Sequence, residues 1–346
     1  MIYGKLGVYQ SEPYDFTRIK NDIDSRKFKG LSTRQDLLKA FSMPLNELVE
    51  LAMSIRRKRL QDGVKTDFCS SGYLPHEGGK GCEMSCSFCG FPRAIYKDGS
   101  REFISKLNVD EIIRDAKKKR SSGATRYKIV SLGCFITKEE YRVALDAIPK
   151  LYDIGFEKVC LSFGSLPETS IKDIVSRFGR ERIELNHNLE VGTEKAYKSL
   201  IGNNPLLWKS RYNTVLSARK HGLDVCSGGL VGIGETPEEQ ADLVMALRAL
   251  NVTSAPFNVF VLEDDDNSIV AQKIRKGEIS RPTSETIIRT LCMWRLGLPK
   301  SSIAANSGFG LTGKGDFGRY SGLIELSLIN DKVSVPNKGF LSKRRY

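Results

Sequence analysis

The sequence predicts an α/β fold: one (β/α) barrel of the TIM type with a helical N-terminal extension. Short β-rich segments alternate with amphipathic helical segments from about residue 64 onward. Such alternation indicates parallel βαβ units. Seven or so units over roughly 250 residues suit a closed barrel better than an open doubly wound sheet, which is the alternative. No sequence repeat indicates a solenoid.

The predicted elements follow from periodicity. Residues 1–62 are polar, and apolar residues at helical spacing predict a helix over 45–55. The barrel is predicted over 63–310, with residues 311–346 as a tail that closes or flanks it. The predicted strands are 65–69, 127–132, 158–162, 182–186, 225–231, 255–262 and 302–305. The predicted helices are 109–121, 138–152, 170–178, 193–200, 211–221, 237–250 and 284–296. Residues 263–283 are expected to be a loop, and residues after 308 irregular.

The composition excludes several protein classes. With 40% hydrophobic residues, the chain is not disordered, collagenous or a coiled coil. The net charge of +13 is partly clustered at 56–59, 117–120 and 343–345. Such runs form solvated helix faces or dock an acidic partner. Nucleic acid is a weak candidate because no nucleic-acid-binding motif accompanies the charge. Without a secretory signal or a membrane-length apolar stretch, a cytoplasmic protein is expected.

Cysteine placement carries the chemical signal. Three of the eight cysteines, Cys82, Cys86 and Cys89, have the spacing Cys-x3-Cys-x2-Cys in a Gly-rich loop after the first predicted strand. In a reducing compartment, clustered cysteines are typical of metal ligands. Three thiolates hold three irons of a cubane cluster and leave the fourth open to a small molecule. Zinc is disfavoured because no second cysteine pair stands at zinc-ribbon spacing.

This loop resembles the hallmark of the radical S-adenosylmethionine (radical SAM) superfamily. The resemblance implies that Cys82, Cys86 and Cys89 hold a [4Fe–4S] cluster whose open iron binds S-adenosylmethionine. It further implies reductive cleavage of that cofactor to a radical that abstracts hydrogen from carbon. An external reductant such as ferredoxin or flavodoxin is then expected.

Further segments resemble biotin synthase over roughly residues 81–308. They are Val-Cys-Leu-Ser-Phe-Gly at 159–164, Asn-His-Asn-Leu-Glu at 186–190, the Gly-rich segment 225–236 and Ala-Pro-Phe-Asn at 255–258. The resemblance implies substrate contacts for Asn188 and Asn258. It implies cofactor contacts for a larger set: Gly90, Phe91, Glu190, Gly228, Gly229 and Glu235.

Biotin synthase also holds an auxiliary iron–sulfur cluster inside the barrel, which donates sulfur. Cys160 and Cys226 match two of its cysteine ligands. The family's third cysteine falls near Lys128 and its arginine at Ala304, so both are replaced here. Cys134 is the first candidate for the third ligand and Cys69 the second. A three-cysteine set favours a [4Fe–4S] auxiliary cluster, and Cys292 is expected to be packing.

The resemblance implies an enzyme that inserts sulfur at unactivated carbons. The first interpretation is a subunit of the divided archaeal type of lipoyl synthase, acting with a second radical SAM subunit on octanoyl groups. The net charge favours it, because electrostatic steering helps most with an acidic carrier protein. The alternative is biotin synthase acting on dethiobiotin, a small molecule. A radical SAM mutase or maturase without sulfur insertion comes third.

Overall fold

The computed structural model describes residues 15–64, 67–74, 82, 84–89, 106–202, 204, 206–262, 266–305 and 326–328. The strands in this part of the chain are β1 (Asp67–Tyr73), β2 (Arg126–Val130), β3 (Lys158–Ser162), β4 (Ile183–Asn186), β5 (Asp224–Cys226), β6 (Gly229–Val231), β7 (Ser254–Val259), β8 (Ser302–Ala305) and β9 (Leu326–Leu328). The helices are α1 (Phe16–Asp24), α2 (Arg34–Phe41), α3 (Leu45–Gln61), α4 (Val109–Ser121), α5 (Lys138–Asp153), α6 (Glu168–Phe178), α7 (Glu194–Ala196), α8 (Trp208–Lys220), α9 (Pro237–Ala249), α10 (Ile269–Arg275) and α11 (Ser284–Gly297). A π-helical turn, Tyr197–Ile201, continues α7.

The strands form a closed parallel barrel. Pairing runs from β1 through β4 to β5, and β5 also pairs with β7. The ladder continues through β8 to β9, which pairs with β1 and so closes the ring. β5 and β6 occupy one barrel position, interrupted at 227–228. The predicted barrel is therefore confirmed.

The apolar core lies between the strands and the surrounding helices. Outward-facing strand residues such as Tyr127, Val159, Leu185 and Phe257 are fully buried against it. Because side chains alternate along a strand, their neighbours face the inside of the barrel. On β2 to β4 those neighbours include Arg126, Lys128, Cys160 and Glu184, so ionisable side chains line the barrel interior.

Helices α1 to α3 pack on the outside of the barrel. The Arg289 guanidinium on α11 donates to the carbonyls of Phe41 (2.9 Å) and Met43 (2.7 Å) at the end of α2. Arg59 at the end of α3 donates to the Lys300 carbonyl at 2.5 Å, just before β8. These bonds satisfy carbonyls that helix ends and turns leave unpaired.

Local sequence explains where the barrel helices begin. Thr137 and Glu140 form a capping box at the start of α5, and Thr236 and Glu239 form one at the start of α9. The side-chain oxygens satisfy backbone N–H groups that have no partner within the helix. Pro237 follows at the first helical position of α9, where its missing N–H costs nothing.

Two predictions for connecting segments were wrong. Residues 263–283, expected to be a loop, contain α10, which Ser268 caps by accepting from the Ala271 N–H. Residues after 308, expected to be irregular, contain β9. β9 is only three residues long and gains its partners from β1 and β8, which are distant in sequence. Periodicity cannot detect so short a strand.

The buried His187 predicts a dependence of stability on pH. It follows β4, is 5% exposed, and its Nε2 lacks a hydrogen-bond partner among the described residues. Burial, with a contribution from Arg211, holds the pKa of His187 well below its ordinary value. The unfolded chain therefore binds a proton below about pH 6.5 that the folded chain does not, and the folded state loses stability as pH falls.

We expect the free energy of unfolding to fall by about 1.4 kcal/mol from this residue between pH 7.5 and 5.5. Urea unfolding of wild type and His187→Gln at both pH values measures it, and the variant should lose less stability on acidification. His221→Gln, at an exposed ion pair with Glu168, is the matched control. Equal pH dependence in wild type and His187→Gln would contradict the assignment.

Candidate functional site

The cysteine loop after β1 is held at the carboxyl end of the barrel strands. Its Ser87 N–H donates to the Ile201 carbonyl (2.9 Å) in the π-helical turn, and its carbonyl accepts from Val270 (2.9 Å) on α10. The Cys89 N–H donates to the Cys86 carbonyl at 3.0 Å, which tightens the turn between these two thiols. The loop is thus fixed from two sides by elements more than 100 residues away in sequence.

The loop thiols lie between two apolar clusters. Cys86 and Cys89 pack against a cluster that includes Phe88 and Tyr197. Cys82 and Cys86 pack against a second one, formed by Met84, Cys134 and Leu206. Burial raises the pKa of Cys86 to about 12 even though Arg211 opposes it. A thiolate here therefore requires a positive partner such as an iron ion.

Asn204 was missed by sequence reasoning. Its amide nitrogen donates to the Cys86 sulfur at 3.7 Å. Its carbonyl oxygen accepts from the Ser85 N–H at 2.8 Å and from the Ser85 hydroxyl at 3.1 Å. Asn204 therefore fixes the middle of the cysteine loop. Nothing local in the sequence distinguishes this asparagine, because its partners lie 118 and 119 residues away.

Arg211 on α8 was also missed, and it joins the loop to the predicted cofactor residue Glu190. Its guanidinium donates to the Asn188 carbonyl at 2.9 Å and lies 3.9 Å from the Glu190 carboxylate. Burial raises the pKa of Glu190, and Arg211 opposes that rise. Glu190 has a left-handed backbone, with φ of 69°, stabilised by pairing with Gly229. Arg211 thus lies within electrostatic reach of both the carboxylate and Cys86.

The Gly-rich segment has a packing function within the barrel. A Cβ on Gly228 would lie 2.0 Å from the Pro256 carbonyl oxygen, and one on Gly229 would lie 2.3 Å from that of Glu190. Both glycines therefore permit close approach of neighbouring strands. Glu235 accepts from the N–H groups of Gly232 and Ile233, each at 2.8 Å, and so closes the turn after β6.

The two predicted substrate asparagines also bond to this segment. The side-chain oxygen of Asn188 accepts from the Gly228 N–H at 3.2 Å. The Asn258 amide donates to the Gly229 carbonyl at 3.1 Å. They lie on either side of the Gly-rich segment, near Glu190. The predicted cofactor residues Gly90 and Phe91 lie outside the described residues.

Three thiols face the interior of the barrel. Cys160 and Cys226 have outward-facing neighbours, Val159 and Val225, that are fully buried in the core. Cys69 on β1 packs against Ala304 on β8. The three influence one another electrostatically, together with Lys128. Burial raises the pKa of all three thiols.

The structure separates the two candidates for a third interior ligand. Cys69 lies with Cys160 and Cys226 inside the barrel, whereas Cys134 lies beside Cys82 and Cys86. Cys134 follows the carboxyl end of β2 by four residues, and its carbonyl bonds to Ser165. Cys292 is fully buried in the core on α11, as expected for a packing residue.

A charged layer lies beneath the interior thiols, toward the amino ends of the strands. Arg126 pairs with Asp67 and, at 3.4 Å, with Glu184. Lys158 pairs with Asp224. Asp67, Arg126, Lys158 and Asp224 each precede an interior-facing residue of the next layer by two positions, and Glu184 lies beside Cys160 in the strand register. These ion pairs thus lie next to the interior thiols, on the side of the amino ends of the strands.

Sets of cysteine thiols are the ligand type that iron–sulfur clusters require. Among the described residues, no three His, Cys, Asp or Glu side chains are placed to hold a single metal ion. A cluster binds each thiolate to a different iron and so spaces its ligands more widely. Cys82, Cys86 and Cys89 in the loop, and the three interior thiols, supply all-sulfur sets of this kind. No described helix is long and apolar enough to cross a membrane.

The basic runs 56–59 and 117–120 are partly used inside the molecule, and the run 343–345 lies outside the described residues. Arg56 donates to the Val64 carbonyl at 2.8 Å, and Arg120 to that of Ala124 at 3.3 Å. Lys119 bonds to the Ser71 carbonyl and to Asp115. Lys117 and Lys118 are exposed on α4. Part of the charge of the two described runs thus has a structural explanation, and Lys117 and Lys118 face solvent.

Comparison with known proteins agrees with this geometry. Residues 77–247 match the radical SAM superfamily. The chain is 31% identical over 289 residues to the biotin synthase of Sulfurihydrogenibium sp., covering 82% of this chain and 80% of that protein. It is 27% identical over 270 residues to the biotin synthase of Methanococcus maripaludis, covering 78% and 77%.

Solved structures share the fold. The FeFe-hydrogenase maturase HydG from Carboxydothermus hydrogenoformans aligns with a TM-score of 0.71 at 16% identity, over 95% of this chain and 75% of that one. Methylornithine synthase (PylB) aligns with a TM-score of 0.67 at 15% identity, over 94% and 88%. The sequence relatives, the superfamily match and the barrel with its cysteine loop lead to one conclusion: the chain belongs to the radical SAM superfamily, as a biotin synthase-like protein.

Proposed function

We propose that this radical SAM protein inserts sulfur at unactivated carbons and that its substrate is dethiobiotin, as in biotin synthase. The observation that carries the proposal is the layer of three interior thiols, Cys69, Cys160 and Cys226. A radical SAM enzyme needs only the loop cysteines to cleave its cofactor. A second all-sulfur donor set within the barrel supplies a place for a sulfur-donating cluster.

The relatives support this choice of substrate over the lipoyl interpretation that the net charge favours. Two biotin synthases match along more than three quarters of their length. Asn188 and Asn258 support it as well, because amide side chains offer both donors and acceptors to a ureido ring. Lipoyl synthase is kept as a second candidate because the net charge of +13 suits an acidic carrier protein.

The proposed roles of the residues follow from their contacts. Cys82, Cys86 and Cys89 would bind the [4Fe–4S] cluster, which with S-adenosylmethionine supplies hydrogen-atom abstraction. Asn204 donates to the Cys86 sulfur and so orients it. Arg211 holds Glu190 and the Asn188 backbone at the mouth of the barrel. The surrounding strands and the apolar clusters exclude water from the reacting groups.

The proposed activity is the conversion of dethiobiotin to biotin. Anaerobic incubation with S-adenosylmethionine, dithionite and dethiobiotin should yield biotin, detected by mass spectrometry as a gain of one sulfur and a loss of two hydrogens. Cys86→Ala should abolish formation of 5′-deoxyadenosine, because one iron loses its ligand. Cys292→Ala, which changes a core thiol outside both donor sets, should retain activity.

An octanoyl-lysyl peptide in parallel reactions separates the two substrates. Sulfur addition to the peptide alone would favour the lipoyl candidate and contradict dethiobiotin as substrate. 5′-Deoxyadenosine formed without sulfur in either substrate would contradict sulfur insertion and favour a mutase or maturase.

The proposed pair of clusters also predicts how many iron atoms the chain binds. With two clusters, the reconstituted chain should bind about eight irons if both are of the [4Fe–4S] type. Cys69→Ser should lower this to about four, because Cys69 lies with the other interior thiols, and Cys134→Ser should leave the interior irons in place. Iron and sulfide analysis with Mössbauer spectroscopy measures both. Four irons in the wild type, or loss of the interior irons in Cys134→Ser alone, would contradict the assignment.

A further inference from the structure

Lys128 occupies an unusual position on β2. Its strand neighbours Tyr127 and Ile129 face outward and are fully buried in the core, so Lys128 faces the barrel interior. In the parallel register it pairs laterally with Cys160 on β3 and Ser71 on β1. The lysine therefore lies beside Cys160 inside the barrel, at the position where the biotin synthase pattern has a cysteine.

The Lys128 ammonium has no counter-charge among the described side chains. No hydrogen bond or salt bridge to it is present in the described part of the chain. The interior carboxylates are already used: Glu184 accepts from Arg126 at 3.4 Å and from Ser254 at 3.0 Å. Asp67 is bound by Arg126 and Thr125, and Asp224 by Lys158.

The Lys128 side chain is half-buried and faces the barrel interior, where a cation without a partner indicates that a negative group belongs beside it. The thiols of Cys69, Cys160 and Cys226 lie within electrostatic range of its ammonium. They provide the missing negative charge only when they bind a metal.

We propose that Lys128 is a positioning residue for the interior iron–sulfur site, where its ammonium balances the charge of the three cysteine thiolates and offers N–H donors to the cluster sulfur. This inference rests on the proposed function, since it requires an interior cluster. The proposed function concerns only the thiols, and this inference adds that Lys128 on β2 supplies the positive charge beside them. Ala304, which packs against Cys69, has no charge and no donor to contribute.

Lys128 should therefore influence the reduction potential of the interior cluster. A cluster's reduction potential depends on nearby charge and on hydrogen bonds to its sulfurs. Removing the positive charge disfavours the more negative, reduced state, so the potential falls. A purely space-filling lysine would leave the potential unchanged when replaced by glutamine, which has a similar shape.

The experiment isolates the interior cluster. In a protein carrying Cys82→Ala, Cys86→Ala and Cys89→Ala, only the interior site can hold iron. Lys128→Gln and Lys128→Arg are compared in this background by iron analysis and by a redox titration followed by EPR. Lys138→Gln, at an exposed position in the first turn of α5, is the matched control.

We expect Lys128→Gln to lower the midpoint potential and the iron content, and Lys128→Arg and Lys138→Gln to keep both. Equal midpoints and iron contents in Lys128→Gln and Lys138→Gln would overturn the inference and leave the proposed function intact. An iron-free parent protein would overturn the proposed function, and this inference with it. If the triple variant does not fold, the same comparison is made with the loop intact, because S-adenosylmethionine perturbs only the loop-cluster signal.

Discussion

The alternation of side chains along the parallel strands is the constraint on which both sites depend. The pairing of Lys128 with Cys160 and of Cys160 with Glu184 places interior residues in adjacent positions around the ring. A shift of β3 by one residue would exchange Cys160 for Val159 or Leu161, which belong to the core. The ion pairs that Arg126 makes with Asp67 and Glu184 join three strands and oppose such a shift.

The two sites are joined by one hydrogen-bonded segment. The Asn186 side chain and the His187 N–H both donate to the Cys226 carbonyl, each at 3.1 Å. Two residues later, Asn188 accepts from Gly228, and Glu190 donates to the Gly228 carbonyl at 3.1 Å. The chain after β4 thus follows the chain after β5 from an interior thiol to the carboxylate that Arg211 holds near the loop. A displacement at either end would be transmitted through these backbone bonds.

The sequence predicted those features whose signals are local. The cysteine spacing lies within eight residues, and strand and helix periodicity within about fifteen. Asn204 and Arg211 could not be found in this way, because the π-helical turn and the Cys86 loop bring them together across long stretches of chain.

The choice between Cys69 and Cys134 could not be made from sequence either. Both adjoin predicted strands, and only the folded barrel shows that Cys69 lies near Cys160 and Cys226 whereas Cys134 lies near Cys82 and Cys86. β9 is a similar case, because its three residues form a strand only by pairing with β1 and β8. Fold class follows from local pattern, whereas membership of a site follows from non-local pairing.

The proposed interior donor set would account for three departures from the biotin synthase pattern at once. That pattern has three cysteines and an arginine, and this chain has Cys69, Cys160, Cys226 and Lys128. With the thiols deprotonated, each set carries three negative charges and one positive charge. The thiol is displaced from β2 to β1, the cation takes the place it leaves on β2, and Ala304 on β8 provides space beside Cys69. The three together keep the charge of the site and alter only the strands that supply it.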